Sequence, residues 1–189
     1  MKLPRFVGIV DLAVVVSLAI ALPICSSPPP MRAADAIKGT EAERFAVAHA
    51  EAQVIANPTS GAKVAELADH LGHAGFKDWA IEAAVRGAER AKPAPDRWRV
   101  LAAASVAFVD RIDVHPALEY IDMALASCEA HREACPSWEE VRMSFYRQHL
   151  AAGIESGIDP RKDPVGFRNA GERGLRPVRL SPARPQQQQ

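Results

Sequence analysis

Between Gly39 and Gly157 the apolar positions recur at spacings of three and four, the period of helices with one buried face. Thr40 followed by Glu43 forms a capping box that opens a first helix, which runs to about Ala56 and stops at Asn57-Pro58. A second helix, about Ala62 to His73, sets Val64, Leu67, Ala68 and Leu71 on one face, and Gly72 and Gly75 mark its end. A third, about Lys77 to Ala91, carries Trp79, Ala80, Ala83, Ala84 and Ala88 as its stripe and ends before Pro93 and Pro95. The fourth, Asp96 to about Val109, repeats Trp98, Leu101, Ser105 and Phe108, and we expect Trp79, Trp98 and Phe108 in the core. The fifth begins at Pro116, suited to a first helical turn, and buries Ala117, Tyr120, Ile121, Ala124 and Leu125. The sixth opens with a second capping box, Ser137 to Glu140, and carries Trp138, Val141, Phe145 and Leu150. The connections are short, which forces successive helices antiparallel. The expected fold is all-α, an array of antiparallel αα-hairpins over residues 39–157.

Two hairpins share a pattern. Val64, Leu67, Ala68 and Leu71 precede Gly75, then Ala80, Ala84 and Gly87-Ala88 follow. Leu101, Ala104, Ser105 and Phe108 likewise precede Ala117, Ile121 and Ala124-Leu125, and matching Ala80 to Ala117 gives an offset of 37 residues. That is close to the period of about 34 residues of tetratricopeptide repeats. The stretch Gly75-Phe-Lys-Asp-Trp-Ala80-Ile81 resembles the turn between the two helices of that family, over a region of about residues 40–155. The second repeat departs from it by carrying Ile112 where the family often has Gly, and by lacking the closing Pro. The resemblance implies a right-handed array whose concave face binds a protein or peptide partner.

Composition narrows this further. Apolar residues are 48% of the chain but aromatics only 6%, and 35 residues are alanine, which favours helix over sheet. Lys+Arg and Asp+Glu are 23 each, a balance that argues against a nucleic-acid binder and against an acidic disordered chain. The N-terminus is a targeting signal: Lys2 and Arg5 precede an uncharged run from Leu12 to Ile24. We read residues 1–25 as a signal peptide or, if retained, as a membrane anchor through residues 6–24, with 26–38 as a Pro-rich linker. Cys25 ends the apolar run, and lipid attachment there is one alternative, although Pro23 and Ile24 stand where small residues would be expected. An exported chain meets an oxidising compartment, and there Cys128 and Cys135 are expected to form a disulfide stapling the fifth and sixth helices. One continuous helix would hold their Cα atoms about 10.5 Å apart, too far for a bridge, but Pro136 breaks the helix between them. Two free thiols, or a thiolate metal site with His131, are the rival readings.

Catalytic chemistry is sparse. There is no G-x-S-x-G, no phosphate-cradling glycine loop and no H-E-x-x-H, so no catalytic, cofactor or metal residue is assigned and the chain is read as a non-enzyme. His70 and His73 with Asp69 place two imidazoles and a carboxylate at one helix end, but a third ligand such as His49 would have to come from elsewhere. Glu139 and Glu140 face different sides of their helix, and Glu140 has the capping role. The segment 158–189 changes character: seven basic residues stand against three acidic ones from Asp159 on, and the segment reads as a basic, largely extended or disordered tail. Asp163-Pro164 starts a short helix to about Ala170 with Val165 and Phe167 as anchors. Arg161, Lys162, Arg168, Arg173, Arg176 and Arg179 are the candidate strip for an acidic partner, against the alternative of a solvated or self-docking extension. The functional expectation is an exported or membrane-anchored helical-repeat adaptor for a protein or peptide. A structural component of the cell envelope, and a small-ligand protein or enzyme with a dispersed site, are the alternatives.

Overall fold

The computed structural model describes residues 40–92 and 94–175. The export or anchor segment, Cys25, the Pro-rich linker and the tail beyond Leu175, with Arg176 and Arg179, lie outside the described residues. Seven helices follow one another and no strand occurs among the described residues: α1 Glu41–Ala56, α2 Gly61–His73, α3 Lys77–Arg90, α4 Arg97–Asp110, α5 Val114–Ala130, α6 Ser137–Glu155 and α7 Pro164–Arg173. The hairpins are α2–α3, α4–α5 and α6–α7, and α1 packs on α2 ahead of them. In the first two, α4 leans on both α2 and α3, so the first helices of successive hairpins are neighbours.

Local chemistry sets the ends. The Thr40–Glu43 box forms as expected, the Thr40 hydroxyl accepting from the Glu43 N–H at 3.3 Å and the Glu43 carboxylate accepting from the Thr40 N–H at 2.6 Å. The second box does not. Ser137 is the first residue of α6, Pro136 precedes it, and no side chain caps that end. The C=O of Pro136 accepts from the N–H groups of Glu139 and Glu140 instead. Asp96 works on a helix other than the one it precedes. It makes no cap bond to α4, and its carboxylate accepts from the Ala62 N–H at 2.8 Å and the Ser60 hydroxyl at 3.3 Å. It therefore caps α2 from the far side of a hairpin.

The 37-residue pattern recurs in the backbone. Gly75 (φ 87°) and Ile112 (φ 66°) are both left-handed. The Phe76 N–H donates to Leu71 C=O at 2.8 Å, and the Asp113 N–H donates to Phe108 C=O at 2.9 Å, one offset later. Such a left-handed turn with a six-residue closing bond satisfies the last carbonyls of a helix, and glycine adopts it without steric cost. Ile112 makes the same turn without that freedom. Past α6, Gly157 (φ 69°) is also left-handed, but the Ile158 N–H donates to the Ser156 hydroxyl at 3.3 Å and the connection to α7 is longer, so the third turn differs from the first two.

The core runs through the array as large side chains set among alanines. Trp98, Leu101, Ile121, Met143 and Leu150 are the largest fully buried groups, and Ala80, Ala84, Ala104, Ala117 and Ala124 have no exposed surface. Small residues let helix axes approach closely. Gly87 is the extreme case, since a Cβ there would lie 2.1 Å from Val64 Cγ1 on α2. The buried Ser105 hydroxyl donates to Ala117 C=O at 2.7 Å, tying α4 to α5 without an unmet polar group.

Three expectations about packing are corrected. Trp79 is 42% exposed and stacks on Phe76 at 5.1 Å, outside the core that holds Trp98 and Phe108. On α6 Trp138 and Phe145 of the expected stripe face outward, Trp138 at 64% exposure, and Val141 is half-buried, while Glu139, Met143, Leu150 and Gly153 face in. The short helix expected from Asp163-Pro164 forms and packs, α7 lying on α6 with Phe167 buried against Gly153, and only its second anchor fails. Asp163 caps α7, accepting from the Gly166 N–H at 2.8 Å, and Pro164 opens it, but Val165 is exposed and anchors nothing.

Candidate functional site

α2 and α4 run parallel. Asp96, at the head of α4, bonds the first turn of α2, and Lys77, just past α2, donates its ammonium to the Asp110 C=O at the foot of α4 at 2.5 Å. The exposed sides of these helices and the first turn of α6 enclose an open groove of about 720 Å³. Its floor is small and apolar, with Ala62, Ala65, Ala102, Ala103 and Val106 among the lining residues. Its charged residues stand in two groups, one at each end.

At the head of the groove stand Glu66, Arg99, Glu139 and Arg142. Glu66 is bridged by Lys63 at 3.2 Å. The buried Glu139 carboxylate accepts from Arg142 Nε at 2.6 Å. Arg99 lies over the Trp98 ring at 4.7 Å, and the Trp98 indole N–H donates to Ala134 C=O at 3.1 Å. At the foot stand Asp69, His73, Lys77 and Asp110. His73 Nδ1 meets the Asp69 C=O at 2.9 Å and the Asp69 carboxylate at 3.5 Å. The backbone bond to Asp69, and then the charge of its carboxylate, raise the His73 imidazole above its ordinary 6.5. Farther in, burial lifts the Tyr146 phenol to about 12.

The residues singled out from the sequence sit elsewhere. Cys128 and Cys135 meet at the α5–α6 connection in disulfide geometry, Cα atoms 5.3 Å apart and both side chains buried. His131 turns to Glu133 at 3.8 Å. Among the described residues no group of three or more His, Cys, Asp or Glu side chains could hold a metal ion. The basic strip does not assemble as one surface. Arg161 donates to Asp113 at 2.8 Å, extending a chain of ion pairs through Arg111 to Asp78 that crosses all three hairpin turns. That is the self-docking alternative for Arg161. Lys162 lies 3.9 Å from Asp159, while Arg168 and Arg173 are exposed on α7.

The groove residues Arg99 and Asp110 were not singled out by the sequence. A signal for them was present: Arg99, Ala102, Ala103, Val106 and Asp110 lie at helical spacing on α4, beside the buried stripe of Trp98, Leu101, Ser105 and Phe108. A helix apolar on two faces has two neighbours to satisfy or a groove to line.

The fold and groove define an all-helical protein of stacked hairpins, compatible with a helical repeat. No family model, no curated protein and no solved structure matches this chain. None of the described helices is long and apolar enough to cross a membrane.

Proposed function

We propose that this chain is a tetratricopeptide-like adaptor, exported or held at a membrane by its N-terminus, that binds a segment of another protein in the groove along α2 and α4. The carrying observation is the open alanine-floored groove of about 720 Å³, built from the first helices of successive hairpins. A site for a protein segment needs length and main-chain access, and small floor residues leave room for both. The 37-residue recurrence of left-handed turn and closing bond supports the repeat reading. Export is carried by Lys2, Arg5 and the Leu12–Ile24 run alone. The test is site-specific photo-crosslinking in cells, with the reactive residue at Ala65 or Ala103 in the groove and at Glu82 on the outer side of α3. A single discrete protein adduct from the groove positions, absent at Glu82, is expected. Identical or no adducts at all three positions would overturn the proposal.

The second reading, a structural component of the envelope, rests on the exposed aromatics Trp138 and Phe145 on α6. The same crosslinker at Phe145 tests it: adducts there, and none from the groove, would favour assembly through α6.

A further inference from the structure

α1, α3 and α5 hold the same place in the repeat, starting at Glu41, Lys77 and Val114. Val47, Ala84 and Ile121 are buried at matching positions, and so are Ala50, Gly87 and Ala124. The outward positions do not match. Where α3 and α5 show Glu82 and Glu119 to solvent, α1 shows Phe45, 72% exposed. Where the later repeats show Lys92 and Glu129, α1 shows Ile55, 81% exposed. Exposed Ala48 and Ala52 lie between them, so the four form one stripe at helical spacing, on the side of α1 away from Val47 and Ala50. An end helix of a stacked array needs a polar outer face unless something covers it. The sequence one offset before α2 lacks the stripe of a first helix: in place of Val64, Leu67, Ala68 and Leu71 it has Ser27, Pro30, Met31 and Ala34.

The stripe is complementary to itself. Phe45 and Ile55 lie evenly on either side of Ala50, and so do Ala48 and Ala52. A second α1 laid antiparallel therefore sets Phe45 against the second copy's Ile55 at each end. Alanine meets alanine in the middle, where the two axes can come close. Arg44 and Glu51 flank the stripe on one side, two turns apart, both exposed and without an ion pair among the described residues. Two-fold antiparallel pairing keeps like flanks together, so each Arg44 meets the second copy's Glu51. Antiparallel helices also bring opposite dipole ends side by side. A lipid surface fits less well, because α1 carries Glu41, Glu43 and Glu51 against Arg44 alone, and anionic headgroups repel that balance. We propose that two copies of this chain pair through α1, antiparallel, about a two-fold axis between Ala48 and Ala52. One helix pair about 24 Å long falls short of the about 800 Å² per partner of a standard interface, so the dimer is weak and depends on concentration. α1 contributes no residue to the lining of the groove, so this surface and the groove reading stand or fall separately.

The test is sedimentation equilibrium of the full chain from about 1 µM to about 500 µM, in a non-denaturing detergent that holds the Leu12–Ile24 run. A monomer–dimer equilibrium is expected. Phe45→Glu and Ile55→Lys install the charges found one offset later, at Glu82 and Lys92. Each should leave the helical circular dichroism and the melting curve unchanged and weaken the dimer about tenfold or more. Arg44→Glu and Glu51→Arg should each weaken it about fivefold, the size two exposed ion pairs supply. A mixture of those two variants should pair better than either alone, since each chain then faces opposite charge. A monomer at every concentration, a dimer untouched by Phe45→Glu, or a mixture no better than its parts would overturn the proposal. A monomer that melts lower in Phe45→Glu would also overturn it, because the stripe would then be covered from within its own chain.

Discussion

Ala80 and Ala117 hold equivalent places in successive hairpins, five residues past a left-handed turn, and neither has exposed surface. Each faces the helix before it with no spare volume, and Ser105 reaches Ala117 C=O directly. A larger side chain would have to push the helices apart. Ala80→Leu and Ala117→Leu are each expected to cost about 1–3 kcal/mol by overpacking. Thermal melts check this, and melting curves like those of the wild type would mean the two faces are not packed together. At this scale the sequence spoke clearly where a residue's partner was close along the chain and its place relative to the helix start was right, which Ser137, already inside α6, was not. Thr40 and Glu43 are an example, since their bond spans three residues. It was silent on Asp96, whose partners Ser60 and Ala62 lie 36 and 34 residues away.

Helix α2 depends on that distant cap. Ser60 supplies one weak side-chain bond, to the Lys63 N–H at 3.4 Å, and Asp96 supplies the shorter one to Ala62. Asp96→Ala is expected to cost about 1 kcal/mol, the usual loss for a cap. Hydrogen exchange should place the loss at the first turn of α2 and not at α4, whose own start Asp96 does not cap. Exchange raised only in α4 would contradict the cross-hairpin cap. Element positions were legible because Gly, Pro and cap residues punctuate them: the starts and ends of α1 to α4 fall within a residue or two of the expected places. Orientation was legible only where one face was plainly more apolar. On α6 the larger aromatics, Trp138 and Phe145, point outward and the inner face carries Met143, Leu150, Gly153 and a buried Glu139. Counting hydrophobic bulk therefore selects the wrong side, because the inner face is chosen by fit to α5 and by the Arg142 partner of Glu139. The groove was illegible for a related reason: alanine is equally at home in a packed face and in the floor of an open channel.

For the whole molecule, Cys128 and Cys135 join the second hairpin to the third, and the Trp98 bond to Ala134 pins the same connection to the head of the groove. We expect the pair to be oxidised in the purified full-length protein. In the chain-entropy model a loop of about eight residues stabilises the fold by on the order of 2.5 kcal/mol. Melting with and without reductant should show a loss of that order. Uptake of an alkylating label by both cysteines without prior reduction would show the bond is absent. The helices contact mainly their neighbours in sequence, α1 on α2 at one end and α7 on α6 at the other. Such an array has a mechanical character. Pulled by its two ends, it is loaded along one line of contacts, and its end helices peel before the middle shears. Opening the 16 residues of α1 releases at most roughly 58 Å of slack at 3.6 Å per residue, while α2 and α4 stay packed together. The oxidised connection adds a stop, because the six residues between Cys128 and Cys135 stay looped out of the extending chain whatever the force on it. Under load such an array would give way first at its end helices and last in its middle.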